Sequence, residues 1–228
     1  MNAANSVSVP AEPYSFDLMP SACALLMIDM QRDFLEPGGF GESLGNDVSI
    51  LRNTIAPNQA LLAAWRQRGL TVIHTREGHQ QDLSDLPPSK KTRGRGQLTI
   101  GDPGPMGRIL ILGEAGHEII PELYPLPNEL VIDKPGKGAF WSTSLHEDLQ
   151  RRGIRQLVVT GVTTEVCVHS TVREANDRGY DCLVPSDCVG SYFPAFQTAA
   201  LAMISAQSGI FGWVCHSSQI LAALNSTR

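Results

Sequence analysis

The chain's alternation of short apolar runs with longer amphipathic segments predicts an α/β fold, an open, doubly wound sheet of six parallel strands. The runs are rich in β-branched residues, as at 156–160, and lack the polar alternation of a half-exposed strand, so both of their faces are expected to be covered. Right-handed crossovers between such strands leave a ligand crevice beyond their carboxyl ends.

Taken in order, the polar stretch 1–20, rich in Pro and Ser, reads as a flexible N-terminal arm, and 21–228 as one domain. Strands are expected at 22–28, 70–75, 129–132, 156–160, 181–184 and 209–214. Helices are expected at 48–67, ending before Gly69, at 143–152, stopping at Gly153, at 165–178, closed by Gly179, and at 193–205. The stretch 78–121 carries Pro87-Pro88 and a run of glycines and prolines from Gly101 to Gly107. It reads as a long insertion placed over a site or against a neighbouring subunit.

With 228 residues, the chain has enough length to bury a core without metals or disulfides. Its formal net charge of −5, with Lys and Arg scattered, excludes the electrostatic footprint of a nucleic-acid or anionic-membrane binder. The basic cluster from Lys90 to Arg95 is short and reads as a solvated loop. Five cysteines without a CxxC pair point to free thiols in a reducing compartment. Neither a secretory leader nor an apolar run of membrane-spanning length is visible, so the cytoplasm is the expected location.

Three reactive groups stand near the ends of separate apolar runs: Asp29 after Ala24-Leu-Leu-Met-Ile, Lys134 after Leu130-Val-Ile-Asp, and Cys167 after Leu157-Val-Val-Thr-Gly. Each alone has an ordinary explanation, as a turn residue, an exposed lysine or a packed thiol. Together they supply what a cysteine nucleophile needs. Cys167 falls in the first turn of an expected helix, where free N–H groups favour a thiolate. An ammonium between aspartate and thiol would favour both anions, and the aspartate could take the thiol proton and pass it to a leaving amine.

Asp29-Met-Gln-Arg-Asp-Phe34, Lys134-Pro-Gly-Lys137 and Gly161-Val-Thr-Thr-Glu-Val-Cys167 resemble the isochorismatase-like cysteine hydrolase family, from about Ala22 to the C-terminus. The resemblance implies a catalytic triad of Asp29, Lys134 and Cys167, and a non-proline cis peptide between Val162 and Thr163. It also implies that the Thr163 and Cys167 N–H groups face a developing oxyanion. The segments from His74 to His79, Ile100 to Pro105, Ile119 to Tyr124 and Arg173 to Tyr180 are similar to the biuret and triuret hydrolase branch. That likeness implies release of ammonia from a small neutral ureide and water, with Phe34, Lys137 and Gln207 lining the pocket. An amide such as Gln207 offers a ureide both donor and acceptor. It further implies a homo-oligomer, dimer or tetramer.

Departures from the wider family narrow the expectation. Nicotinamidase-type members hold a metal through an Asp and two His, an arrangement that His74 and His79 do not reproduce, so no metal or other cofactor is expected. Isochorismatases proper cleave an enol ether and need not use a cysteine, which Cys167 disfavours. A dinucleotide fingerprint and a Walker A sequence are absent from the sequence. An amidohydrolase for ureidoacrylate or N-carbamoyl amino acids, with Arg76 or Lys137 as a cationic clamp, is the alternative enzyme, and a non-catalytic binding protein of the same fold the alternative class.

Overall fold

The computed structural model describes residues 6–91 and 98–226; Arg93 and Arg95 of the basic cluster lie outside the described residues. Its main sheet is built from β3 (Cys23–Ile28), β4 (Thr71–Glu77), β5 (Leu130–Lys134), β6 (Gln156–Val162), β7 (Asp181–Pro185) and β8 (Trp213–Cys215). Before them, β1 (Val7–Val9) and β2 (Phe16–Leu18) form a separate antiparallel pair. Across the main sheet the order is β8-β7-β6-β3-β4-β5 with every pairing parallel, and the short segment Val189–Gly190 adds a seventh strand beside β6. Chain direction across the sheet therefore reverses between β3 and β6, which places the crevice of a doubly wound sheet beyond the ends of those two strands.

Strand β3 shows why the sequence settles into this arrangement. All six of its residues are buried, Cys23, Leu25 and Met27 in one core cluster and Ala24, Leu26 and Ile28 in the other, as the period of two requires. The first cluster holds Leu61 and Trp65 of α1 (Ile55–Gln67). On the opposite face, α2 (Leu145–Arg151), α3 (His169–Asp177) and α4 (Pro194–Gly209) bring Leu149, Val172 and Ile204. The last helix, α5 (Ser217–Asn225), returns Ile220 to the first face.

Several boundaries differ from those expected. Residues 7–18 do not trail as an arm: Val7, Val9, Phe16 and Leu18 are buried in the first core cluster, and Glu12 exchanges backbone hydrogen bonds of 2.8 and 3.0 Å with Val214. The apolar side of this hairpin outweighs its Pro and Ser content. The expected helix 48–67 divides at Thr54, whose hydroxyl bonds back to the Leu51 carbonyl at 2.7 Å. The last strand starts at Trp213 rather than at 209, because the preceding helix runs on through a kink at Ala206, Gln207 and Ser208.

In the insertion, the described residues fold back on the strand ends. The Asp33 carboxylate accepts from the N–H groups of Phe40 and Leu110, and the Gln31 amide donates to the carbonyls of Glu77 and His117 at 2.9 and 3.0 Å. Among the described residues no helix is long and apolar enough to cross a membrane.

Candidate active site

Asp29, the residue after β3, adopts a left-handed φ of 50°, a conformation that a non-glycine residue rarely keeps unless its surroundings fix it. Its N–H donates to the Thr75 carbonyl at 3.1 Å and its Oδ1 accepts from the Thr75 hydroxyl at 2.7 Å. The carboxylate is thereby turned into the crevice. Lys134 closes β5 and is fully buried, with Nζ 2.7 Å from Asp29 Oδ2 and bonded to the Gly136 and Lys137 carbonyls, both at 3.0 Å. The Pro135–Gly136 turn thus supplies two neutral acceptors for an ammonium that has left water.

Cys167 follows β6 on a turn wider than an α-helical one, in which the Thr163 carbonyl accepts from the N–H groups of both Val166 and Val168 at 3.2 Å. The peptide between Val162 and Thr163 is cis. One residue earlier Gly161 has a φ of 109°, and a Cβ there would lie 2.0 Å from the Ile28 carbonyl oxygen, so only glycine lets β6 approach β3 below the crevice. The turn is anchored on two sides. Thr171 donates to the Cys167 carbonyl at 2.7 Å while accepting from the Ala139 N–H at 3.0 Å, and the Thr164 hydroxyl bonds to Gln197 of α4 at 2.5 Å.

A fourth group joins them that the sequence reading missed. Glu77, the last residue of β4, is fully buried; its Oε2 accepts from the Cys167 thiol at 3.5 Å and its Oε1 lies 2.5 Å from Lys137 Nζ. Lys134 Nζ is 3.9 Å from the same carboxylate. The expected strand stopped at Thr75, yet period two puts Glu77 on the face of Thr75 and hence in the crevice, a signal available in the sequence.

The Isochorismatase domain model matches residues 23–219, most of the 228-residue chain. The chain belongs to the isochorismatase family. Solved structures agree in fold: a cysteine hydrolase from Pseudomonas syringae pv. phaseolicola 1448A superposes with a TM-score of 0.79 at 24% identity, over 100% of both chains. An isochorismatase family protein from Desulfovibrio vulgaris subsp. vulgaris str. Hildenborough gives 0.73 at 26%, over 90% of this chain and 98% of its own. N-carbamoylsarcosine amidase from Thermoplasma acidophilum gives 0.65 at 21%, over 86% and 96%.

In this isochorismatase-family chain the electrostatics separate the two carboxylates. Burial raises the Asp29 carboxyl above its ordinary value, and Lys134 offsets that only in part. Burial acts on Glu77 in the same sense, but the Lys134 and Lys137 ammoniums outweigh it and hold Glu77 below the usual range. Lys134 is pushed down by burial and pulled up further by Asp29, Cys167 and Glu77, so it stays charged. The Cys167 thiol differs from expectation. Burial drives it well above its ordinary value and Lys134 does not compensate, so the resting sulfur is a thiol rather than the thiolate that its helix position suggested.

The other expected pocket residues divide. Phe34 lies in the short helix Arg32–Leu35 that follows Asp29, partly buried against the first core cluster, its carbonyl accepting from the Tyr192 hydroxyl at 2.6 Å. Lys137 reaches the site through Glu77. Gln207 does not. Helix α4 leaves the crevice at Gln197 and runs back against the strands, so ten residues later, about 15 Å along a helix, Gln207 is exposed at the kink, two residues before Gly209 packs beside Pro13. Lys90 is brought in by the insertion instead, its ammonium bonded to the Pro135 carbonyl at 2.6 Å.

Neither His74, bonded to Glu129 at 2.9 Å, nor His79, 3.3 Å from Asp85, faces the crevice trio. Among the described residues the side chains converging closely enough to share a metal are Asp29, Glu77 and Cys167, whose ligand atoms lie within 4.8 Å of one another. Lys134 already stands beside this trio as its cation. The remaining thiols are packing groups: Cys23 and Cys215 are buried and pushed up to about 12.

Proposed function

We propose that this protein is a cysteine-dependent amidohydrolase that cleaves a terminal C–N bond of a small ureide, biuret or triuret, and releases ammonia. The observation that carries the reading is the convergence of a buried thiol, a carboxylate of raised proton affinity and a permanently charged ammonium beyond the switch point of the sheet. A carboxylate with a raised pKa is the better proton acceptor, so Asp29 and not Glu77 is assigned as the base.

Asp29 takes the Cys167 proton, and the sulfur attacks the terminal carbonyl carbon. The N–H groups of Thr163 and Cys167 receive the oxyanion. On collapse the C–N bond breaks and the nitrogen leaves as ammonia with the proton held by Asp29. A water that yields its proton to Asp29 then attacks the thioester; the C–S bond breaks, Cys167 recovers its proton, and the product carboxylate departs, allophanate in the case of biuret. Lys134 keeps Asp29 anionic at the start of each cycle.

Two ion pairs support a neutral substrate. Lys137 is matched by Glu77, and Arg76, on the opposite face of β4, by Asp133 at 2.7 Å, so both candidate clamps for a substrate carboxylate are occupied. A second reading, hydrolysis of N-carbamoyl amino acids or ureidoacrylate, is favoured by Lys90, whose ammonium bonds to a neutral carbonyl, and by the carbamoyl substrate in the name of the Thermoplasma relative. Ammonia release from biuret, triuret, ureidoacrylate and N-carbamoyl amino acids separates them. Turnover of biuret or triuret, lost in Cys167→Ala, is the expected result; undiminished turnover in that variant overturns the mechanism.

A further inference from the structure

We propose that Glu77 is a positioning residue of this site: one carboxylate oxygen accepts the Cys167 S–H and aims the sulfur, and the other holds the Lys137 ammonium against the crevice for a substrate carbonyl. The inference rests on the amidohydrolase reading for its substrate half alone. Both contacts come from one fully buried side chain, 3.5 Å from the sulfur and 2.5 Å from Lys137 Nζ. The backbone of Glu77 is fixed as firmly as its head group, because the Gln31 side chain accepts from its N–H at 2.7 Å and donates to its carbonyl at 2.9 Å.

A structural anion would serve as well anywhere beside Lys137; contact with the reacting sulfur requires a further reason. The groups facing Cys167 are Asp29 after β3, Glu77 on β4, Lys134 and Lys137 from β5 and its following turn, and Lys90 from the insertion. Of the two carboxylates, Asp29 is paired with Lys134 and has the higher proton affinity. Glu77 remains ionised and therefore accepts the S–H hydrogen bond without taking the proton. A resting thiol held this way is guarded against stray electrophiles, and it reaches Asp29 as substrate displaces the S–H from Glu77.

The test measures labelling of Cys167 by iodoacetamide against pH, with peptide mapping, beside steady-state turnover. In Glu77→Gln the negative charge beside the sulfur is gone. Labelling at neutral pH is expected to rise by about tenfold, the gain in thiolate that one pKa unit brings, and its profile to move to lower pH. Turnover is expected to fall through a raised KM, since Lys137 loses its anchor. Glu77→Asp keeps the charge, so its labelling stays slow and part of the turnover returns. Cys23, Cys182, Cys188 and Cys215, all buried, must stay unlabelled, which separates the effect from general loosening.

Labelling of Glu77→Gln that is no faster, with an unmoved profile, overturns the proposal. Should that variant fail to fold, Lys137→Met decides by the opposite sign: it removes a cation near the sulfur, so slower labelling and a profile moved to higher pH support the proposal, and no change overturns it. Labelling needs no substrate. A wild-type protein that releases no ammonia from any ureide or carbamoyl compound refutes the functional reading and leaves this test standing.

Discussion

Lys134 Nζ and Asp29 Oδ2 meet 2.7 Å apart with both side chains fully buried, so each is the nearest opposite charge to the other in the interior. The pair links the ends of two strands that do not touch, β3 and β5, across the intervening β4.

Removing Lys134 leaves the Asp29 carboxylate buried without its ammonium. Lys134→Ala is expected to cost about 3–5 kcal/mol of stability, read as a lowered midpoint in urea unfolding. In the protein that remains folded, Cys167 labelling should shift to higher pH, because Lys134 is the largest of the influences that lower the thiol's proton affinity. An unmoved labelling profile removes the electrostatic role assigned to Lys134.

On the proposed mechanism Asp29 governs the acid side of activity. Its carboxyl is raised by burial, and turnover requires the ionised form, so kcat/KM should fall with decreasing pH at a value above the ordinary carboxylate range. Asp29→Asn should abolish turnover while leaving Cys167 open to labelling, and retained turnover would pass the role of base to Glu77.

The triad was legible because Asp29, Lys134 and Cys167 each follow an apolar run, and parallel strands deliver such residues to one edge. Glu77 obeys the same rule but follows Arg76, and two charged residues in succession read as the end of a strand. Period two resolves them: Arg76 turns to Asp133 and Glu118, Glu77 to the crevice. The hairpin 7–18 stayed hidden because its strands are three residues long with Pro10 and Pro13 between them, too short for periodicity to register. Gln207 was misplaced for a different reason. Its position depends on how far α4 runs before it kinks, which local sequence does not fix.

Glu129 should dominate the acid sensitivity of the fold's other end. Burial acts to raise its pKa, but Arg66, the Leu126 N–H and His74 outweigh that and bring it from an ordinary 4.5 to about 2. Between those values the unfolded chain binds a proton that the folded chain refuses. The stabilisation is thus complete above about pH 4.5 and lost as pH falls toward 2. Glu129→Gln should lower the melting temperature at neutral pH and flatten its decline over this window; an equally steep decline in the variant places the acid sensitivity elsewhere.

Gly161 offers the sharpest test of how the ends of β3 and β6 are brought together. An added Cβ would lie 2.0 Å from the Ile28 carbonyl oxygen and 2.6 Å from the Ile28 nitrogen, both backbone atoms that cannot rotate away. The φ of 109° is a second obstacle, since L side chains rarely adopt it. Gly161→Ala must therefore part β3 from β6, breaking the register in which Ile28 faces Gly161, and a loss of about 3 kcal/mol or more is expected. The same displacement moves Asp29 and Cys167, the residues just beyond those ends, so turnover should fall even in the fraction that folds. Gly153→Ala is the control: Gly153 also has a positive φ, 69°, but nothing lies within 4 Å of its Cβ position, so it isolates the backbone cost from the clash. Equal losses in the two variants would mean that conformation, and not the contact with Ile28, is what requires glycine at 161.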